Sequence, residues 1–258
     1  MPPAGVELAT FSLGRSYSIQ LSYGGIYLYS SKFTAPFQLS NQKVFDFFVL
    51  FFLYNIRKGE TMKSIDLFKL RRSRYRLTNR LPITDQELET LLGEVIRQAP
   101  SAFNVQSARM VLLLGEKHLA LWQSVLECLR QVVPAENFAP TEEKIKSFAA
   151  AYGTILYLDN TTATRALQAQ YPAYKDNFPV WAQQANAILQ FAVWTALAEA
   201  GIGASLQHYN PLIDEAVKKQ FELPAEWQLI AQMPFGVAEG LDSEKTYLPL
   251  SERLIIKK

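Results

Sequence analysis

The rhythm of hydrophobic and polar positions changes sharply near residue 62. Over residues 1–43 neither a helical nor a strand period is sustained, and short Ser/Tyr/Gly runs such as Ser16-Tyr17-Ser18 and Ser22-Tyr23-Gly24-Gly25 dominate. A dense apolar run from Val44 to Tyr54, interrupted by Asp46, then ends before Arg57 and Lys58. Beyond it the pattern is that of an ordinary globular chain. Ser64–Leu70 predicts a short helix with Ile65 and Phe68 inward and Leu67 as a third candidate. Thr84-Asp85-Gln86-Glu87 is a capping box, followed at helical spacing by Leu88, Leu91, Leu92, Val95, Ile96 and Ala99. Pro100 ends that helix.

Met110–Leu114 predicts a buried strand, and Leu119, Trp122, Val125, Leu126 and Leu129 the next helix, with Cys128 as a small core residue. Thr154–Leu158 is a second strand. The stretch from Phe178 to Ala200 is apolar almost all round and is closed by Gly201, so it predicts a helix buried in a core or a subunit interface. Asn210-Pro211 starts another helix that ends near Phe221, and Trp227–Val237 is a last strand before a tail. Helices and strands mixed in this order give an α+β domain.

Composition sharpens the break. Residues 1–61 carry 13 of the 32 aromatics and eight charged residues, five basic and three acidic, leaving 21 of each sign in 62–258. The run 44–54 is too short for a membrane helix, which needs about 20 apolar residues. It also lies too far from the start for a signal peptide and lacks a small-residue cleavage site. Lys58-Gly59-Glu60-Thr61-Met62 can be encoded by a purine-rich ribosome-binding sequence just before an ATG. We therefore expect 1–61 to be a non-native or disordered leader, a translated upstream region, and 62–258 to be the functional domain. One Cys and two His ninety positions apart exclude a disulfide framework and a His- or Cys-rich metal site, so no metal is expected. A net charge of +2 gives no global argument for nucleic acid.

Three segments carry candidate chemistry. Arg71-Arg72-Ser73-Arg74-Tyr75-Arg76 concentrates phosphate-directed donors at a helix end, although a solvated basic face or a nucleic-acid contact extended by Arg80 reads the same residues differently. Ala99-Pro100-Ser101-Ala102-Phe103-Asn104-Val105-Gln106-Ser107 links a helix to a strand. Its amides can read the edge of a planar heterocycle, or simply cap a turn. Gly201-Ile202-Gly203 starts like a dinucleotide fingerprint, but it lacks the third Gly and follows a helix, so that reading is rejected. The following Gln207-His208-Tyr209-Asn210 is either a ligand edge or a helix-capping loop.

Together, and in this order, these segments resemble the nitroreductase family. Arg-Arg-Ser-x-Tyr, Ala-Pro-Ser-Ala-Phe-Asn-Val-Gln-Ser, Gln207-His208-Tyr209-Asn210-Pro211 and Met233-Pro234-Phe235-Gly236 are similar to its fatty-acid-repression-mutant-like branch, across 62–258. The resemblance implies a three-layer sandwich, a mostly antiparallel central sheet flanked by helices, and an intertwined homodimer with non-covalent FMN at its interface. Arg71, Arg72 and Ser73 would hold the FMN phosphate, helped by Lys245. Asn104 and Gln106 would contact the ribityl chain and ring edge, with Ser101 in the same cofactor-binding set, and Gln207, His208 and Tyr209 would lie along the isoalloxazine. Tyr75, where a basic residue often stands in the family, joins the cofactor-binding set. The implied activity is a cytoplasmic, NAD(P)H-dependent reductase of small planar acceptors, with no nucleic-acid or membrane partner and no side-chain nucleophile. A flavin-sensing regulatory protein linked to fatty-acid or stress signalling is the alternative. A nucleic-acid module built on Arg71–Arg80 is a third reading, which predicts steep salt dependence.

Overall fold

A computed structural model of the chain describes residues 9–13, 17–22, 25–27, 63–240 and 244–258. The chain divides into two units, 1–61 and 62–258. In the first, β1 (Ala9–Leu13), β2 (Tyr17–Ser22) and β3 (Gly25–Tyr27) form an antiparallel meander, with Ala9 opposite Leu21 and Gln20 opposite Tyr27. The apolar run 44–54 and the expected start at Met62 lie outside the described residues.

The second unit is a three-layer α+β sandwich. Its sheet has the order β4 (Leu77–Thr78), β8 (Trp227–Ala238), β6 (Gly153–Asn160), β5 (Ala108–Leu114), and β7 (Gly203–Ala204) also pairs with β8. All of these pairings are antiparallel. The central strand β6 is buried from Gly153 to Asp159, so its two alternating faces serve two cores. Leu156 and Leu158 pack with Leu121, Trp122, Val125 and Phe148, from α3 (Gly115–Arg130) and α4 (Phe138–Ala149). Ile155 and Tyr157 pack with Leu88 and Leu92 of α2 (Asp85–Gln98) and with Leu189, Val193 and Leu197 of α6 (Phe178–Glu199). The Thr84–Glu87 capping box is formed on both sides, as the sequence predicts.

Three expectations need correction. The helix α1 (Ser64–Leu70) forms, but Ile65 is 55% and Phe68 44% exposed, because α1 lies on the outer side of α6 rather than over the sheet. In α3, Trp122, Val125 and Leu126 face the core whereas Leu119 is exposed, one helical step off the buried stripe of Leu121 and Val125. The helix after Asn210-Pro211 is shorter than its sequence suggests. Residues 210–213 form a turn around a cis Asn210–Pro211 peptide, and α7 runs only from Asp214 to Gln220. The remaining helix, α5 (Thr161–Gln170), follows β6 and is capped by the Asn160 side chain, which accepts from the Thr162 N–H.

A buried hydrogen-bond network locks α3 to β6. Trp122 Nε1–H donates to Thr154 Oγ1 at 3.0 Å, Thr154 Oγ1 lies 2.9 Å from His118 Nδ1, and His118 Nε2 lies 3.2 Å from the Ala149 carbonyl. With the indole already donating to Thr154, the threonine hydroxyl donates to Nδ1 and the imidazole proton sits on Nε2, facing Ala149. The ring is therefore held neutral, and burial pushes its pKa below the ordinary 6.5. The unfolded chain binds this proton more readily than the folded one, so the stability it contributes is present above about pH 6.5 and is lost as pH falls. We predict that the fall in melting temperature between pH 7 and pH 5 is smaller in His118→Gln than in the parent chain. Equal slopes would remove His118 as a source of acid sensitivity.

Candidate functional site

Two polar segments stand at opposite ends of α6. At its C-terminal end, Arg71 closes α1, with its N–H bonded to the Leu67 carbonyl. Its guanidinium lies 4.5 Å from the centre of the Trp194 ring and 6.0 Å from that of Phe191. Ser73 bridges Ala204 of β7 in parallel, and the Arg74 N–H donates to the Ala204 carbonyl at 2.9 Å. This joint depends on two glycines. Gly201, at φ +76°, ends α6 in a left-handed conformation, and a Cβ on Gly203 would lie 2.7 Å from the Ala238 Cβ and 3.1 Å from the Arg74 side chain. The Gly-x-Gly pair thus serves a helix end and a close backbone approach, which agrees with rejecting the dinucleotide reading.

The electrostatics of this end are those of an unfinished anion site. Burial, and then the neighbouring Arg72 charge, lower the Arg71 pKa, which means its cation is under-stabilised. Its buried Nε has no acceptor among the described residues. A phosphate would supply both the missing charge and the missing acceptor.

The chain continues from β7 into Gln207, His208 and Tyr209. Gln207 exchanges two backbone bonds with Gln232 of β8, at 2.7 and 2.9 Å, and Gln232 Oε1 accepts from the Tyr209 N–H at 2.9 Å. This extended backbone turns successive side chains to alternate sides. Gln207 is buried against Ser205, His208 is exposed, and Tyr209 packs edge-on to Trp122 at 6.0 Å. Ser73 is thus joined to Ala204, three residues before the 207–209 segment, and His208 alone of that triplet has an exposed side chain. Tyr75, 56% exposed, lies next to this cluster in the chain. Lys245 is exposed in the tail, with its ammonium 5.1 Å from the Tyr247 ring.

The second segment, Ser101–Ser107, stands at the N-terminal end of α6. Phe103, Asn104 and Gln106 adopt φ values of 54°, 51° and 50°. For Phe and Gln this left-handed geometry costs roughly 1–2 kcal/mol each. Side chains from both flanks hold it. The Ser101 hydroxyl accepts from the Gln106 N–H at 2.9 Å, and Arg109 Nη1 donates to the Gln106 carbonyl at 2.7 Å and the Ala108 carbonyl at 2.9 Å. Phe103 rests on Tyr171, Phe178 and Trp181, with ring centres 4.9, 5.5 and 6.3 Å away. Arg109 lies outside the sequence motifs that mark the site. A charged residue at the start of a half-buried strand, three positions after a motif amide, is the available signal.

Trp181 and Trp194 mark the two segments and lie thirteen residues apart on α6, about 20 Å along its axis. One chain does not bring Asn104 and Gln106 to the Arg71 cluster. Among the described residues there is no group of His, Cys, Asp and Glu that could hold a metal, and no helix long and apolar enough to cross a membrane.

The sequence profile of the nitroreductase family matches residues 69–237. The nitroreductase FRM2 of Saccharomyces cerevisiae is 30% identical over 180 residues, which are 69% of this chain and 89% of that protein. The nitroreductase CinD of Lactococcus lactis, solved with chloramphenicol and with 4-nitrophenol, is 40% identical in both structures. These superpose with TM-scores of 0.70 and 0.69, covering 76% of this chain and all of CinD. A nitroreductase of Desulfitobacterium hafniense with bound FMN shares the fold at 18% identity and a TM-score of 0.55, over 76% of this chain and all of that one. The chain belongs to the nitroreductase family, and its activity class is that of an oxidoreductase.

The Ser101–Gln106 geometry generates a direct test. Ser101→Ala removes one side of the clamp and is expected to lower the unfolding free energy by about 1 kcal/mol. Gln106→Gly in that background should recover part of the loss, because glycine adopts the positive φ without cost. Denaturant titration of the single and double variants measures both steps. A neutral Ser101→Ala, or a further loss on adding Gln106→Gly, would contradict the clamp.

Proposed function

We propose that this chain is a homodimeric, FMN-dependent reductase that uses NAD(P)H to reduce small planar acceptors, nitroaromatics and quinones among them, in the cytoplasm. The observation that carries the reading is the under-stabilised Arg71, linked through Ser73 and β7 to the strand that leads into 207–209 and separated from the strained amide loop by about 20 Å of α6. The ribityl chain is attached directly to the phosphate, so Asn104 or Gln106 cannot reach it from the same chain. A second copy would supply them.

The outer surface supports that assembly. Ile65, Phe68 and Leu70 of α1 and Val180 and Phe191 of α6 are each 40–55% exposed, and the Phe68 and Phe191 rings meet at 5.2 Å. Such a patch favours association. In the tail, Leu248, Leu250, Ile255 and Ile256 are 65–78% exposed and suited to wrap a partner.

The residues present fit FMN. Arg71, Arg72 and Ser73 would hold its phosphate, with Lys245 as a further cation and Tyr75 beside them. Gln207, His208 and Tyr209 of one copy would flank the ring, and Ser101, Asn104 and Gln106 of the other would meet the ribityl chain and ring edge. Bound FMN would supply two-electron, hydride-transfer chemistry between NAD(P)H and the acceptor. The chain's own residues would bind, orient and shield, which needs neither nucleophile nor metal. Donor and acceptor would use the same open face in turn, which gives ping-pong kinetics. The complexes of CinD with chloramphenicol and 4-nitrophenol support aromatic acceptors.

The purified chain is expected to bind one FMN per subunit and to oxidise NAD(P)H with a nitroaromatic acceptor, giving parallel double-reciprocal lines. Arg71→Ala removes charge-assisted bonds of about 1.5–3 kcal/mol each, so the dissociation constant for FMN should rise at least about tenfold in a fluorescence titration. A chain that neither carries FMN nor binds it when added would overturn the proposal.

A further inference from the structure

The strained loop does more than present two amides. Phe103 is held at φ 54° and yet is 52% exposed, so a large aromatic ring is kept out of the core in a costly backbone conformation. Its ring stacks toward Trp181 with an interplanar angle of 22°. Both rings are buttressed: Phe103 by Tyr171 and Phe178, and Trp181 by Phe178 at 5.2 Å and Tyr174 at 6.1 Å. A groove of about 360 Å³ opens beside them, lined by Pro100, Ser101, Phe103, Trp181, Gln184 and Ile188 among others. That volume is in the range of small-molecule sites. None of these six side chains is ionisable, and two of them, Ser101 and Gln184, can exchange hydrogen bonds. A charged ligand would find no counter-charge in this lining, whereas a flat, neutral or delocalised ring would find aromatic faces and a polar rim.

We propose that Phe103 and Trp181 form the wall on which the aromatic ring of the acceptor lies, and so determine which acceptors the protein takes. The inference rests on the reading that the protein reduces planar acceptors, and it names the side chains that would select them. Asn104 and Gln106, which would meet the isoalloxazine edge, belong to the same loop as Phe103, so a ring in this groove lies next to the intended electron source. Because the wall belongs to the loop of one copy and the Arg71 cluster to the other, acceptor choice and phosphate binding are functions of different subunits at each site.

Binding of 4-nitrophenol to the purified full-length chain, measured by equilibrium dialysis, tests this directly. Trp181→Leu and Phe103→Leu should each weaken binding about tenfold, whereas Trp181→Phe, which keeps an aromatic face, should stay within about threefold of the parent. In steady-state assays the ratio of KM for a nitroaromatic to KM for ferricyanide, an acceptor without a ring, should rise in Trp181→Leu and return toward the parent value in Trp181→Phe. Circular dichroism and flavin absorbance report folding and cofactor content alongside. Equal affinity for 4-nitrophenol in all folded variants would overturn the proposal. So would a change of mass by light scattering with affinity unaltered, since the groove would then be a subunit contact. A chain that binds no FMN yet loses 4-nitrophenol on Trp181→Leu would leave this inference standing and remove the reductase reading. The reverse result would do the opposite.

Discussion

A helix that is apolar around most of its circumference must be covered on most of its circumference, and the placement of α6 follows from that requirement. Ala182, Ala185, Leu189, Val193 and Leu197 bury its inner face against β6 and β8. The two polar groups on that face are satisfied in place: Asn186 Nδ2 donates to the Leu158 carbonyl at 2.9 Å, and Gln190 Nε2 to Asn186 Oδ1 at 2.7 Å. Its outer face, with Val180, Ile188 and Phe191, remains uncovered within one chain except where α1 lies on it. The helix therefore acts as a rigid spacer. Trp194 fixes Arg71 at one end and Trp181 fixes the amide loop at the other, each over the same apolar rod.

Both ends are locally unfavourable as they stand, and at Arg71 an anion would supply what is missing. Arg71 is desolvated beside a second cation, and the Ser101–Gln106 backbone is held in a geometry that non-glycine residues avoid. Neither arrangement serves stability alone. Groups fixed beforehand lose less freedom when they bind, which is the usual benefit of such rigidity. The clamp from Ser101 and Arg109 supplies that rigidity to the loop, and the Gln207–Gln232 pairing supplies it to the strand beyond β7.

Much of this could be read from the sequence, because the strongest signals are local. The capping box at Thr84, the all-round apolarity of 178–200 and the buried runs of β6 and β8 each report one element and its burial, and each forms as expected. Local patterns failed where the spacing of apolar residues does not say which face of a helix meets the sheet. Ile65 and Phe68 have the spacing of a core stripe, but the side they would occupy faces away from the sheet. The motif residues were legible as types, while their directions were not. Nothing in Gln207-His208-Tyr209 shows that an extended backbone would send Tyr209 toward Trp122 and leave His208 outside. Arg109 escaped for a related reason: its role is to hold the Gln106 carbonyl, and backbone acceptors leave no trace in composition.

The central claim is that each complete site takes its phosphate cluster from one copy and its amide loop from another. Mixed dimers test it most directly. One chain carries Arg71→Ala with an intact loop, and the other carries Asn104→Ala with Gln106→Ala and an intact Arg71 cluster. Each alone should bind FMN poorly. After denaturation together and refolding, random pairing makes about half of the dimers mixed, each with one intact site, so about a quarter of all sites should recover parental FMN affinity. If both halves of a site came from the same chain, every site in the mixture would carry a lesion and no recovery would be seen.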